Sequence, residues 1–239
     1  MLSYVSEIRL FAGDKPPKDW LPCNGAVLRI ADNEILFSRI GWDFGPFAQT
    51  AFSLPTLAAP AAGVQFVICA KGMYPFDSIA DAISEVKLFA GRLFNVRDSV
   101  PCQGGLLPIN QNTALFSIVG TRFGGDGRST FGIPNLAPPI EFSLGYFMGI
   151  GGIFINGMGW GDQIVSEIRL APALTDIRAP RDFLPCDGQS VSRTEERALF
   201  STIGTKFGAD SPSTFRLPSV PPPLPGLSYW IARRGVFPS

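Results

Sequence analysis

Three acidic residues recur at matching places along the sequence, and recurring carboxylates are the first candidates for chemistry. They are Glu7, Glu85 and Glu167. Three carboxylates that converge in a fold could bind a cation or act as acid and base. A cation follows each of them two residues later, on the same face of a strand. These cations are Arg9, Lys87 and Arg169. The spacing favours an ion pair, within a repeat or between repeats, over a metal or catalytic site.

The segment 124–130, Gly-Gly-Asp-Gly-Arg-Ser-Thr, has the composition of a phosphate-binding loop. It lacks the Lys-Ser/Thr ending and the following helix with which such loops hold a phosphate. We therefore expect a structural loop in which Asp126 and Arg128 form hydrogen bonds to the backbone. The third repeat keeps the aspartate as Asp210, whereas the first has Phe47 in this region. A site repeated three times on this loop is not expected.

The chain of 239 residues contains no histidine. Because histidine is the commonest general base and metal ligand near neutral pH, imidazole triads and His-ligated metal sites are excluded. The four cysteines are too far apart for a paired zinc motif, and we expect buried thiols that pack as small apolar residues. They are Cys23, Cys69, Cys102 and Cys186. We predict no cofactor, no metal and no catalytic residue, and a hydrolase that uses Asp and Glu is the least favoured function.

Basic and acidic residues number 20 each, so the net charge is zero and a nucleic-acid partner is not expected. The apolar stretch 140–160 approaches the minimum length of a membrane span. It contains Glu141, Asn156 and several glycines, so a buried strand pair is the better interpretation. The first residues, MLSYVSEIRL, lack the basic region and apolar core of a signal peptide, which fits assembly in the cytoplasm.

Five landmarks occur in the same register in three segments of the chain. Each segment opens with a Ser-Glu-Ile/Val-Arg/Lys-Leu pentapeptide and continues to a Pro-Cys-polar-Gly element. A phenylalanine follows the cysteine after 14 residues, and a glycine, a second phenylalanine and a proline follow at intervals of 4, 11 and 3. The glycines are Gly41, Gly120 and Gly204. This regularity predicts three copies of one module of about 80 residues.

Within a module, the pattern predicts strand, loop, strand, short helix, glycine turn and strand. The opening Glu-Ile-Arg-Leu alternates polar and apolar residues, as a half-buried strand does. Gly120 can take a left-handed conformation where the second helix ends. In the third copy, Glu195 and Glu196 are expected in the first helical turn, where the helix dipole favours acids. The expected cap residues are Asn110, Thr194 and, in the first copy, the poor capper Ala31 or its neighbour Asp32.

The motifs of the copies can now be read together: Glu-Ile-Arg-Leu-Phe-Ala-Gly, Cys-x-Gly, Asn-Thr-Ala-Leu-Phe-Ser-Ile and Phe-Gly-Gly-Asp-Gly-Arg-Ser-Thr-Phe, closed by Pro-Asn-Leu. The set resembles the phage tail collar domain, as found in bacterial proteins of the microcystin-dependent type. The resemblance implies a small α+β module of tail fibres and related appendages, often trimeric or beside a trimer, with no catalytic residues to carry over. This chain departs from the family by joining three short modules without the longer glycine-rich insert of many members.

We predict an α+β fold, mainly short β-strands with one short helix per module. The modules span residues 1–75, 84–155 and 166–239, and linkers 76–83 and 156–165 join them. Modules of this size bury only a modest fraction of their surface alone, so the three should pack together. Closure around a pseudo-threefold axis, in a monomer, is the preferred arrangement. An open row of modules is the alternative.

These observations predict a structural, assembly or adhesion protein without enzymatic activity. A single-chain pseudo-trimer would cap or adapt a trimeric fibre, or sit at the tip of a phage-tail-like or cell-surface appendage, in the virion tail or outside the cell. Three joined copies can match a threefold partner while each copy diverges. The alternative is a multivalent module that binds carbohydrate or another surface, such as a cell-surface glycan. The candidate partner-binding residues are the aromatic residues Tyr74, Trp160, Trp230 and Phe237, expected to be exposed at module ends, with Asp126 and Arg128 of the loop.

Overall fold

The computed structural model describes residues 3–74, 82–91, 98–139, 143–152, 163–173 and 181–238. Within these ranges the chain forms fifteen short strands and three α-helices of seven residues each. The expected α+β content, mainly strands with one short helix per module, is therefore confirmed.

Every module repeats the same order of elements, three strands, a helix and two strands. The first contains β1 (Glu7–Phe11), β2 (Trp20–Pro22), β3 (Val27–Arg29), α1 (Glu34–Ile40), β4 (Ala51–Ser53) and β5 (Gln65–Cys69). The second contains β6 (Val86–Ala90), β7 (Ser99–Pro101), β8 (Leu106–Pro108), α2 (Thr113–Val119), β9 (Thr130–Gly132) and β10 (Leu144–Gly149). The third contains β11 (Glu167–Pro172), β12 (Phe183–Pro185), β13 (Ser190–Ser192), α3 (Arg197–Ile203), β14 (Thr214–Arg216) and β15 (Leu227–Ala232).

The strands form one large sheet and three small ones. The first, second and last strands of all three modules make a nine-stranded sheet, in which each last strand lies between its own first and second strands. The two remaining strands of each module pair with each other as β3 with β4, β8 with β9, and β13 with β14. The helix of each module is the connection between the strands of this small sheet.

The first strands of the three modules pair with one another. Strand β1 pairs antiparallel with both β11 and β6, and β11 pairs antiparallel with β6. The aligned residues include Leu10 with Ile168, Ile8 with Leu88, and Leu170 with Val86. Each of these strands therefore contacts the other two at the centre of the large sheet.

The expectation that the opening strands are half-buried is wrong, because every residue of β1, β6 and β11 is buried. The apolar side lies under the helices: Ile8 packs in one cluster with Leu36 and Ile40 of α1. The polar side, which carries Glu7 and Arg9, is also covered. The alternation of polar and apolar residues therefore gives each first strand one charged face and one apolar face, and both are buried.

The predicted helix caps are wrong by one or two residues. Helix α1 follows Asn33, α2 follows Asn112 and α3 follows Glu196. In the first two modules a single 3-10 turn, Ile30–Asp32 or Ile109–Gln111, occupies the place where the helix was expected to begin.

In the third module a turn occupies the corresponding place, so Glu195 and Glu196 precede the helix instead of lying in its first turn. Glu196 is buried and forms an ion pair with Arg233, which ties the start of α3 to the last segment of the chain.

The predicted glycine at each helix end is confirmed, with a different backbone conformation. Gly41, Gly120 and Gly204 have φ of 52°, 58° and 56°, and their ψ lies between −133° and −143°. This is far from the ψ of a left-handed helix and close to a region used almost only by glycine. A Cβ at any of the three would meet no atom within 4 Å, so backbone conformation, not space, requires glycine.

All four cysteines are free and buried, as predicted. Burial raises the pKa of the Cys69 thiol to about 12. Of the apolar stretch 140–160, residues 144–149 form β10, and residues 140–142 and 153–160 lie outside the described part of the chain. No helix in the described ranges has the length and apolar character needed to cross a membrane.

Candidate functional site

Six charged side chains lie together on one face of the central strands. Each module contributes two residues of its first strand or, in the case of Glu85, the residue just before that strand. Residues i and i+2 of an extended segment project from the same face. We call the set the charge ring, and it consists of Glu7, Arg9, Glu85, Lys87, Glu167 and Arg169. Each of them is between 1% and 6% exposed.

Within each module the cation contacts the glutamate two residues before it. The Nε of Arg9 donates to Oε1 of Glu7 at 2.6 Å. The Nε of Arg169 donates to Oε1 of Glu167 at 2.7 Å. In the second module the Nζ of Lys87 lies 3.9 Å from Oε2 of its own glutamate.

The same cations also contact the glutamate of another module. The Nη1 of Arg9 lies 2.8 Å from Oε2 of Glu167, Nη1 of Arg169 lies 3.4 Å from Oε1 of Glu85, and Nζ of Lys87 lies 4.0 Å from Oε1 of Glu7. Opposite charges alternate around a closed ring that passes from the first module to the third, the second and back to the first. The prediction of ion pairs for these residues is confirmed, both within and between modules.

Electrostatics within the ring keep the Glu7 carboxylate charged. Burial by itself would raise the pKa of Glu7, but Arg9, Lys87 and Arg169 together lower it below its usual value. Burial would lower the pKa of Arg9, and the surrounding glutamates raise it well above its usual value. The acids are neutralised by protein cations, and the described residues contain no cluster of three or more Cys, Asp or Glu placed to hold a metal ion.

An aromatic ring covers each cation of the charge ring. The guanidinium of Arg9 lies 5.1 Å from the ring centre of Trp20, and that of Arg169 lies 5.6 Å from that of Phe183. The Nζ of Lys87 lies 4.9 Å from the ring centre of Tyr4. These cation–π contacts stabilise desolvated cations. The sequence offered no signal for the third one, since Tyr4 belongs to a different module from Lys87.

The residue three positions before each glutamate of the charge ring packs on another module. Tyr4 packs with Phe89 and Phe147 of the second module. Ile164 packs with Trp20 of the first module, and Ala82 packs with Phe183 of the third. Three small apolar clusters therefore surround the charge ring, each shared by two modules.

Between the central strands, a cavity of about 30 Å³ is lined by residues of all three modules, among them Glu7, Arg9 and Lys87 of the charge ring. Phe66, Tyr146 and Tyr229 occupy matching positions around it, opposite Leu10, Leu88 and Leu170 in the strand pairing. Burial raises the pKa of Tyr146 to about 12, so its phenol stays protonated near neutral pH. A cavity of this volume has room for a water molecule and is too small for an organic substrate.

In segment 124–130, the Asp126 side chain forms its hydrogen bonds within the loop. One oxygen of Asp126 accepts hydrogen bonds from the backbone N–H groups of Arg128, Ser129 and Thr130 at 2.8 to 2.9 Å, and the other accepts the Ser129 hydroxyl at 2.6 Å. These bonds lower the pKa of Asp126. The carboxylate is used within its own loop, as expected for a structural role.

The family comparison agrees with this repeated geometry. The phage tail collar domain matches three segments, residues 6–60, 84–138 and 167–221, which together make up more than half of the chain. The chain belongs to the phage tail collar domain family. The resemblance seen in the sequence motifs is thereby confirmed.

Family membership establishes a structural protein of the phage tail fibre type, located in the virion tail and associated with tail fibre proteins. The collar domain is a structural tail fibre domain and is not a known enzyme family. Comparisons with curated proteins and with solved structures gave no match.

The candidate aromatic residues of the collar modules have different surroundings. Trp230 is only 4% exposed and packs with Phe183, so the expectation that it is exposed is wrong. Phe237 is 55% exposed. Tyr74 is half-buried, and its ring lies 5.3 Å from the guanidinium of Arg39. Trp160 lies outside the described residues.

The glycine loops that follow the three helices, residues 41–50, 120–129 and 204–213, have diverged in the collar modules. Asp126 binds the backbone of its own loop. At the matching position, Asp210 accepts hydrogen bonds from Nε and Nη2 of Arg216, at 2.8 and 2.5 Å. In the first module Phe47 occupies this position and is 90% exposed. Arg128 is exposed and has no counterpart of the same charge in the other modules.

Proposed function

We propose that the chain is a single-chain pseudo-trimer that caps or adapts a trimeric fibre, with its three collar modules arranged around a pseudo-threefold axis. The observation that carries the proposal is the mutual pairing of β1, β6 and β11. Pairing of neighbours alone would leave the first and third modules apart, as in an open row. The pairing of β1 with β11 favours closure.

The direction of the contacts between modules supports the same arrangement. In the charge ring, cations of modules one, three and two reach glutamates of modules three, two and one, respectively. Each contact thus repeats the one before it, as rotation about a threefold axis requires. Lys206 of the third module adds a contact with the first, through Asp14 at 2.5 Å and the carbonyl of Ala12 at 3.1 Å.

We retain modules at 1–75, 84–155 and 166–239, with linkers 76–83 and 156–165, as part of the proposal. The starts of the family matches, at residues 6, 84 and 167, support this division. Covalent linkage lets one module acquire a residue such as Phe47 without changing the others. A homotrimer cannot differentiate its three positions in this way.

The contacts of the carboxylates support action by shape matching, without bond-making chemistry. Those of the charge ring are engaged by cations, and Asp126 and Asp210 are engaged within their own modules. The divergence of the glycine loops removes the equal sites on which multivalent glycan binding would depend. Fibre capping is therefore the better supported function.

Mass measurement and reconstitution test the proposal. Light scattering should give a monomer of 25.7 kDa. Native mass spectrometry of the chain mixed with the homotrimeric fibre proteins from neighbouring reading frames should show one copy per three fibre chains. A stable homotrimer of the full chain, or the absence of any complex with these fibres, would overturn the proposal.

A further inference from the structure

Two modules end in the same sequence element. Residues 71–75 read Lys-Gly-Met-Tyr-Pro and residues 234–238 read Arg-Gly-Val-Phe-Pro. The aliphatic residue in each is well exposed, at 50% for Met73 and 57% for Val236.

The backbone holds both elements in the same way. Met73 forms a parallel bridge with Tyr4, and Val236 forms one with Ile164. The N–H groups of Met73 and Val236 donate to the carbonyls of Ser3 and Gln163 at 2.8 and 2.9 Å.

The preceding glycine permits this approach in both modules. A Cβ added at Gly72 would collide with the carbonyl oxygen of Ser3, and one at Gly235 with that of Gln163. The aliphatic side chain is thus presented from a fixed backbone, which lowers the entropy lost when a partner binds.

This position carries a non-aromatic apolar residue in every copy, and the next position carries an aromatic residue in every copy, Tyr74, Phe154 or Phe237. The second copy has Ile153 at the matching place in the sequence, among residues outside the described ranges. The other exposed apolar positions change their residue type between copies. Val27 and Leu106 match each other, but the third copy has Ser190. Ile35 corresponds to alanine in the other copies, Trp42 to threonine, and Phe47 to aspartate.

Met73 and Val236 lie on the side of the large sheet that carries the charge ring. Their bridge partners Tyr4 and Ile164 pack there, Tyr4 against Lys87 and Ile164 against Trp20. Val27 and Leu106 belong to the small sheets, which pack with the helices on the other side.

Building on the proposed function, we infer that the side of the body with Met73 and Val236 is the surface that meets the trimeric fibre. A homotrimer presents three identical patches, so only a residue type repeated at equivalent positions can make the same contact with each. The occupant is an apolar patch at the end of the fibre, one per fibre chain. The exposed residues found in one or two copies, including Phe47, lie outside this contact.

Two matched double variants test the assignment on the full chain. Met73→Asp with Val236→Asp places charges on the proposed surface, and Val27→Asp with Leu106→Asp changes two aliphatic residues of similar exposure on the opposite side. Binding to the purified homotrimeric fibre that captures the wild-type chain is measured by surface plasmon resonance. The first variant should raise the Kd about 100-fold or more, and the second less than about 3-fold.

A cross-linking experiment keeps the test decisive if a variant unfolds. A benzophenone amino acid at position 73 or 236 should cross-link to the fibre, and one at position 27 should not. Equal loss of binding in both variants, the reverse pattern, or cross-links only from position 27 would overturn the inference while the wild-type complex keeps the proposed function. A wild-type dimer that the first variant dissociates would also overturn it, by placing a second copy on this surface. Failure of the wild-type chain to bind any fibre would overturn the proposed function itself.

Discussion

The charge ring and the glycine loops derive from the same repeat, but only the ring has kept its residue types in all three modules. Each ring residue is buried and must match a charge that another module supplies. The loops satisfy their polar groups locally, by Asp126 with its own backbone or Asp210 with Arg216. A position that must match its equivalents cannot change alone, whereas a position that depends only on its own module can.

The largest effect is expected from removing one charge of the ring. In Glu7→Gln, Arg9 and Lys87 lose a carboxylate partner at a buried site, so the unfolding free energy should fall by about 3 to 5 kcal/mol. Urea denaturation measures it. Asp210→Asn, which breaks an exposed pair in a glycine loop, is the control and should change the urea midpoint only slightly. Equal effects of the two variants would contradict the distinction between ring and loop.

Lowering the pH should also reduce the stabilisation that the charge ring provides. The pKa of Glu7 in the folded chain lies below its ordinary value of 4.5, so the unfolded chain takes up the proton first as the pH falls. The stabilisation is therefore complete above about pH 5 and is lost as the pH falls through the folded pKa. Urea midpoints between pH 6 and pH 3 should decline less steeply for Glu7→Gln than for wild type. Parallel curves would show that Glu7 does not contribute.

How far these features could be predicted from sequence depends on the range of the interactions. The repeat, the buried thiols and the ion pairs follow from spacing along the chain. The stacking of Tyr4 on Lys87 arises from a contact between modules, which spacing within a module does not encode. The burial of Trp230 arises mainly from packing on Phe183, Ala171 and Ala232 of its own module, which lie far from it in sequence or on a neighbouring strand. In the first two modules the helix caps differ from the prediction for a local reason, since a 3-10 turn and an α-helix begin with similar residues.

A smaller effect is expected at the helix ends, where all three modules have the same backbone requirement. Gly120→Ala introduces a Cβ into a backbone with φ of 58° and ψ of −143°, which should cost about 1 to 3 kcal/mol without any clash. Thermal unfolding provides the measurement. Ser117→Ala on the exposed side of the same helix is the control, and an equally small loss for both would contradict the conformational explanation.

The smallest effect distinguishes the loops from each other. Asp126→Ala removes three hydrogen bonds to backbone N–H groups, so amide exchange at Arg128, Ser129 and Thr130 should accelerate roughly fivefold or more. Asp210→Ala should leave the amides of its own loop nearly unchanged, because its carboxylate binds a side chain. Hydrogen exchange followed by NMR compares them, and equal acceleration would show that the loops have not diverged in structure.

A double-mutant cycle between Arg9 and Glu167 tests the closure of the three modules most directly, because these residues are 158 positions apart and in different modules. The cycle uses Arg9→Met, Glu167→Gln and the double variant, with urea denaturation as the measurement. Closure predicts a coupling energy above about 1.5 kcal/mol, while the exposed pair Arg29 and Asp32 should give no more than about 0.5 kcal/mol. A coupling near zero between Arg9 and Glu167 would contradict closure and the fibre-capping function built on it.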